Sequence, residues 1–265
     1  MTFYCFDSRL NPLDVGENWP QQRSFLYGDG HFTTIKVKSG VPCFLDAHLA
    51  RLQNAQCKLL MGELAWPALA RQIRDLANQK QEGFIRVHIS RGQGGRGYGG
   101  LSTMSPNVFI SSGEFDDSKL PVQMALGIAE TRLGKNRQLA GLKHNNRLEQ
   151  VLIAAELERK GWQDALVMDE GDRLIETSKA NVFWFDGDAW YSPALEFSGI
   201  AGIMRSQVLA HNPDVKLVQE PLEKVLANCQ SMLVCNSLIQ VRAVGKVALR
   251  TLETQLSRPL DLTFL

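Results

Sequence analysis

The chain has 265 residues, 44% hydrophobic and 22% charged, with 29 basic against 28 acidic residues and a net charge of +1. This balance removes any electrostatic reason to expect nucleic acid or an anionic membrane as partner, so any anion site must be local. The length supports one large domain or two of about 100 to 150 residues each. No run approaches the roughly 20 apolar residues of a membrane span, and the N-terminal MTFYCFDSRLNPLD lacks a basic region followed by an apolar one, which points to a cytoplasmic protein.

In chain order, Phe32–Lys38 and Val41–Phe44 are β-prone runs joined at Ser39 and Gly40, the composition of a hairpin. Asp46 is placed to cap a helix in which Leu49, Leu52, Ala55, Leu59 and Leu60 recur near helical spacing. Pro67 suits the first turn of a second helix running to about Asn78. Phe84–Ser90 and Asn107–Ser111 read as buried strands around the loop RGQGGRGYGG, and the acidic, proline-ended Glu114–Pro121 reads as a linker. Beyond it the pattern predicts a strand at Val122–Ile128, a helix from about Asn146 to Lys160 ended by Gly161, a strand at Ala165–Met168 and a turn at Asp169–Asp172. Further strands are expected at Val182–Phe185, Lys216–Val218 and Met232–Cys235, with helices at Ile203–His211 and Leu222–Asn228. The expectation is an α+β protein of two mixed domains, 1–113 and 122–265, joined by 114–121. The surface where two such domains meet is a usual place for a ligand cleft.

The glycine loop satisfies GxGxxG at Gly92, Gly94 and Gly97 and follows a predicted strand. The crossover helix of a dinucleotide site is missing, because too few residues separate Gly97 from Asn107 and Pro106 stands among them. A nucleotide-binding role is therefore the remote alternative, and an exposed hairpin loop the plain one. Arg91, Arg96 and Tyr98 in so permissive a backbone suit a ligand bearing carboxylates, since guanidinium pairs with carboxylate in two-point geometry. The five cysteines are scattered without a CxxC and read as small buried hydrophobes. The five histidines show no metal-ligand spacing, so no metal is expected.

Several motifs in a set order carry a resemblance to a known family. They are YGDGHFTT at Tyr27–Thr34, AHLARL around Arg51, the loop SRGQGGRGY, LAGLKHNNRLEQ at Leu139–Gln150, IETSKANVFW around Glu176, AGIMR at Ala201–Arg205 and VCNSL at Val234–Leu238. Together they resemble the fold-type IV pyridoxal-phosphate enzymes, most closely the subgroup of aminodeoxychorismate lyases. Branched-chain and D-amino acid aminotransferases share that scaffold. The resemblance implies two mixed α/β domains with a cofactor cleft between them, pyridoxal 5'-phosphate as cofactor, and a homodimer. It also implies a lyase that converts 4-amino-4-deoxychorismate to 4-aminobenzoate and pyruvate, with an aminotransferase as the alternative.

On the same resemblance Lys143 is the catalytic lysine that binds the cofactor covalently, and Glu176 faces the pyridine nitrogen. Arg51 binds the phosphate together with the amides of Ile203 and Met204 and with Asn236 and Ser237. Arg91, Arg96, Tyr98, His31 and Thr34 are the expected substrate-side residues, with Thr33 a further candidate beside His31 and Thr34 for protonating the leaving group. Met204 departs from the threonine that many members carry, which costs a side-chain hydrogen bond and leaves the backbone role intact. Read without the family, Lys143 is a surface lysine before a helix, Arg51 a helix-surface arginine and Glu176 an exposed strand-end acid.

Overall fold

The computed structural model describes residues 2–14, 16–254 and 259–265. The chain divides into two compact units: Met1–Asp117 with Lys143–Asn146, and Ser118–Leu142 with Arg147–Leu265. The four residues around Lys143 thus cluster with the first unit, although the sequence on either side of them belongs to the second.

In the first unit the described strands are β1 (Thr2–Phe6), β2 (Gly30–Lys38), β3 (Val41–Pro42), β4 (Gly83–Ser90) and β5 (Asn107–Gly113). They form an antiparallel sheet in the order β1-β5-β4-β2-β3. The helices are α1 (Arg23–Tyr27), α2 (Leu45–Lys58) and α3 (Trp66–Lys80). Alternation sorts the strand residues by face. Ile35, Val37, Ile85, Val87, Ile89, Val108 and Ile110 pack with Leu45 and Leu52 of α2 and Leu69 and Ile73 of α3 to form the core. Burying each such side chain contributes about 1.5–3 kcal/mol. The intervening residues Phe32, Thr34, Lys36, Arg86 and His88 therefore occupy the opposite face.

Lys143–Asn145 extends this sheet beside the start of β2. The Phe32 amide donates to the Lys143 carbonyl and the Asn145 amide to the Gly30 carbonyl, both at 2.9 Å, with His31 bridged to His144. Gly30 is required here, because a Cβ would lie 2.4 Å from the Ile89 carbonyl oxygen and 2.7 Å from Asn145 Nδ2.

The second unit contains β6 (Met124–Ile128), α4 (Leu148–Lys160), β7 (Asp164–Met168), β8 (Leu174–Thr177), β9 (Asn181–Phe185), β10 (Trp190–Pro193), α5 (Ile203–His211), β11 (Lys216–Val218), α6 (Leu222–Asn228), β12 (Ser231–Asn236), β13 (Gln240–Val247) and β14 (Arg250–Thr251). Its sheet runs β11-β10-β9-β12-β13-β6-β7-β8, with β14 paired to β13. Ile153 of α4 packs with Ala129, Leu133, Ala165, Val167 and Ile175. Buried Glu156 accepts the amides of Glu130 at 2.8 Å and Thr131 at 3.2 Å.

Several local expectations change. α2 begins at Leu45 with Phe44 as its N-cap, so Asp46 lies inside the first turn, where it favours the helix dipole instead of capping it. Leu59 and Leu60 fall beyond α2, and Leu60 is 81% exposed. The strand expected from Val122 starts at Met124, and the helix expected from Asn146 starts at Leu148. Cys229 and Cys235 are buried, and burial pushes both thiols up to about 12; Cys57 is exposed, contrary to its reading as a buried hydrophobe. Among the described residues no helix is long and apolar enough to cross a membrane.

Candidate functional site

In the first unit the face opposite the core gathers basic groups around one aromatic ring. The Lys143 amine lies 4.7 Å from the centre of the Phe32 ring and the Arg86 guanidinium 4.3 Å from it, while the His88 ring stacks on Phe32 at 4.9 Å. Cations over an aromatic face are held by its quadrupole. Burial pushes His88 down to about 4, with Arg86 adding to the effect, a hydrogen bond with the Asn145 side chain opposing it and Lys143 reinforcing it. His88 is therefore neutral near pH 7. Buried Arg86 Nε has no hydrogen-bond partner.

The other face of β2 meets α2. His31 and Thr33 are two residues apart on the strand, and His48 and Arg51 are three apart on the helix, so each pair shares a side. Arg51 Nη2 donates to Thr33 Oγ1, and Thr33 Oγ1 lies 2.6 Å from His48 Nδ1. Burial pushes Arg51 down to about 10, and burial followed by the Arg51 charge lowers His48 well below 6.5. His31 is pushed down to about 4 by burial, then by Arg51 and His88. Arg51 Nε, His48 Nε2 and both ring nitrogens of His31 are buried with no hydrogen-bond partner. Orphaned N–H donors around a cation fit an oxyanion such as a phosphate.

The second unit offers an acid and a helix N-terminus. Glu176 on β8 is 4% exposed, and its Oε2 accepts the Ile200 amide at 2.9 Å. Burial lowers Arg147 from its ordinary value, and the charges of Glu176 and Glu149 oppose that shift. At the start of α5 Gly202 is the N-cap without a side-chain cap. Asn181 fixes the approach: its Oδ1 accepts the Gly202 amide at 3.2 Å and its Nδ2 donates to the Ile200 carbonyl at 2.8 Å. A Cβ on Gly202 would fall 2.2 Å from Asn181 Oδ1. Ile203 and Met204 follow in the first turn, both buried, where helix amides point outward and favour an anion.

The remaining expected residues are placed as follows. Asn236 spends its side chain on the chain itself, accepting the amides of Leu238 and Ile239 at 2.9 Å and donating to the Lys179 carbonyl at 3.0 Å; Ser237, beside it, is half-buried. Arg91, expected to meet a substrate carboxylate, is buried and fully engaged. Its Nε pairs with Asp29 at 2.8 Å, and its other two nitrogens donate to the Leu60 and Leu59 carbonyls at 2.9 and 2.7 Å. That geometry makes it the anchor of the loop. Arg96 is exposed and Tyr98 is 81% exposed. Arg23 holds their loop by donating to the Gly97 carbonyl at 2.9 Å.

The glycine loop joins two antiparallel neighbours, β4 and β5, so the parallel crossover that a dinucleotide fingerprint needs is absent from this connection, and the nucleotide alternative falls. Thr34 and Lys143 share a strand face with Phe32 and Arg86, whereas His31 and Thr33 lie on the other side of the strand. Phe32, Thr33, His48, Arg86, His88 and Asn145 were not picked out as cofactor or ligand groups from the sequence, apart from Thr33 as a proton donor. The alternation in FIRVHIS, apolar at Ile85, Val87 and Ile89, was the available signal for Arg86 and His88.

Known proteins resemble this chain in sequence and in fold. The family model described as amino-transferase class IV matches residues 30–247. An aminodeoxychorismate lyase of Vibrio harveyi is 36% identical over 233 residues, covering 85% of this chain and 86% of that protein. The crystal structure of 4-amino-4-deoxychorismate lyase from Pseudomonas aeruginosa matches with a TM-score of 0.84 at 27% identity, covering 99% of this chain and 95% of the other. The branched-chain amino acid aminotransferase of Escherichia coli matches with a TM-score of 0.82 at 17% identity, covering 95% and 88%, a likeness of fold.

Proposed function

The chain belongs to the amino-transferase class IV family, and from that premise we propose that it is a pyridoxal-phosphate-dependent lyase that converts 4-amino-4-deoxychorismate to 4-aminobenzoate and pyruvate. The observation that carries the reading is the Lys143 amine held 4.7 Å from the Phe32 ring on a face shared with Arg86 and Thr34, in a chain whose relatives include aminodeoxychorismate lyases. Lys143 would hold the cofactor through its amine, and Glu176 would keep the pyridine nitrogen protonated. Arg51 and the first-turn amides at Ile203 and Met204 would hold the phosphate. The buried, unmatched Arg51 Nε and the uncapped start of α5 fit such a dianion. When bound, the cofactor supplies an electron sink for the charge left by proton removal at the amine-bearing carbon.

The chain's own residues then divide the work. Lys143 takes the proton from the amine-bearing ring carbon. The ring C–O bond breaks with its electrons leaving on the enolpyruvate, which takes a proton at its methylene carbon and departs as pyruvate. The ring becomes aromatic, which drives the elimination. Arg86 binds a substrate carboxylate in place of Arg91, and Thr34, on the same face as Lys143, orients or protonates the leaving group. Arg96 and Tyr98 contact the substrate from the exposed loop.

The exposed apolar row Leu148, Val151 and Leu152 on α4, at helical spacing, supports a homodimer. We place the enzyme in the cytoplasm. The test is a product assay on purified protein supplied with aminodeoxychorismate. Equal amounts of 4-aminobenzoate and pyruvate, abolished in Lys143→Ala, are expected. Amino transfer to 2-oxoglutarate without pyruvate release would replace the reading with the aminotransferase.

A further inference from the structure

Thr33 is fully buried, and its hydroxyl sits between two basic groups. It accepts from Arg51 Nη2, so its single proton must go to another acceptor, and His48 Nδ1 at 2.6 Å is the acceptor within reach. This direction assigns the tautomer of His48: Nδ1 accepts and Nε2 carries the proton. We propose that His48 is a positioning residue for Arg51, acting through the Thr33 hydroxyl to fix the guanidinium so that its Nε–H faces the cofactor phosphate. The inference rests on the cofactor reading above and deepens it.

Three observations support the relay. Arg51 is the shared end of the chain of bonds, and its Nε is buried without a partner, which is the state of a donor held ready for an anion. His48 is 0% exposed and sits one helical turn from Arg51 on α2, so the helix backbone sets their spacing. Burial and the Arg51 charge keep His48 neutral, which a protonated imidazole beside a guanidinium would not permit without repulsion. A threonine hydroxyl is suited to this place because it accepts and donates at once. Valine has the same shape and does neither.

The experiment titrates apo-protein with pyridoxal phosphate and, separately, with pyridoxal, which lacks the phosphate, and follows absorbance with borohydride trapping at Lys143. Thr33→Val is expected to weaken pyridoxal phosphate binding about ten-fold, the loss of roughly one hydrogen bond, while pyridoxal binding changes less than about two-fold. Thr33→Ser restores the wild-type preference, and His48→Asn, whose carboxamide oxygen can accept from Thr33, retains most of it. In an Arg51→Gln background Thr33→Val has no further effect, because the relay ends on Arg51.

Equal weakening for the two ligands, or full additivity with Arg51→Gln, would overturn the relay. Should Thr33→Val fail to fold, His48→Phe carries the same comparison. Wild-type protein is measured first: failure to take pyridoxal phosphate at Lys143 removes the proposed function and this inference with it, whereas normal wild-type binding with an unchanged phosphate preference in the variants removes the inference alone.

Discussion

Replacing Arg91 by methionine separates two roles that the sequence left open. The substitution keeps the volume of the stem and deletes three hydrogen bonds, those to Asp29, Leu60 and Leu59 at 2.8, 2.9 and 2.7 Å. Asp29 keeps Arg23 at 2.8 Å, so its carboxylate is not left alone. Burial acts to raise the Asp29 carboxyl, and the hydrogen bonds from Arg91 and Arg23 outweigh it, leaving the group below its ordinary value. Losing one of these two arginines weakens that effect. The Leu59 and Leu60 carbonyls lose a charged donor each, and Leu60, being exposed, recovers part of its loss from water.

With about 1–3 kcal/mol for each group left unmatched, and the discount for Asp29 and Leu60, the cost is about 3 kcal/mol. For a chain of this size that lowers Tm by about 6–12 °C, read by differential scanning calorimetry against Arg96→Gln, whose exposed side chain should cost less than about 1 kcal/mol. An unchanged Tm for Arg91→Met, accompanied by a rise in KM for aminodeoxychorismate, would refute the anchoring role and return Arg91 to the substrate.

Two further outcomes follow from the same geometry. His31 and His88 fold with pKa values of about 4, below the unfolded 6.5. The unfolded chain therefore binds more protons between those values, and stability falls as pH drops from about 6.5 toward 4, by up to about 3 kcal/mol for fully buried His31 and less for half-buried His88. Denaturant unfolding at pH 7 and pH 5 measures this, and His31→Gln should flatten the slope; an unchanged slope would count against the assignment. Gly202→Ala drives a Cβ toward Asn181 Oδ1, 2.2 Å away, and displaces the carboxamide that ties Ile200 to Gly202. The expected result is a stability loss of about 1–3 kcal/mol with weaker pyridoxal phosphate binding. Wild-type affinity and Tm in that variant would show that the turn before α5 tolerates the shift.

Much of the architecture was legible because local rules determine it. The runs expected for β2, β3, β4, β5, β6, β7, β9, β11 and β12 agree with the structure within a residue or two, Pro67 marked the first turn of α3, and Gly161, with φ of 66°, ended α4 where a glycine was expected to end it. β1, β8, β10, β13 and β14 had no counterpart among the expected runs. The motif order likewise named Lys143, Glu176 and Arg51 as residues of interest, since unusual residue types at set places survive in one dimension.

What one dimension could not hold was which polar groups meet. Arg91 and Arg86 are five positions apart in the same basic stretch, and the sequence ranked the first as the ligand group. Only the fold shows that Arg91 closes on Asp29 and two carbonyls while Arg86 lies over Phe32 beside Lys143. Thr33 and Thr34 are adjacent and alike in chemistry, yet the pleat sends one toward His48 and Arg51 and the other to the face of Lys143. The sequence by itself determined the periodicities, the turns and the family, because these depend on neighbours along the chain. The tertiary structure alone decided the partners of each buried polar group, because hydrogen bonds are satisfied between segments distant in sequence and a one-residue change of strand face reverses them.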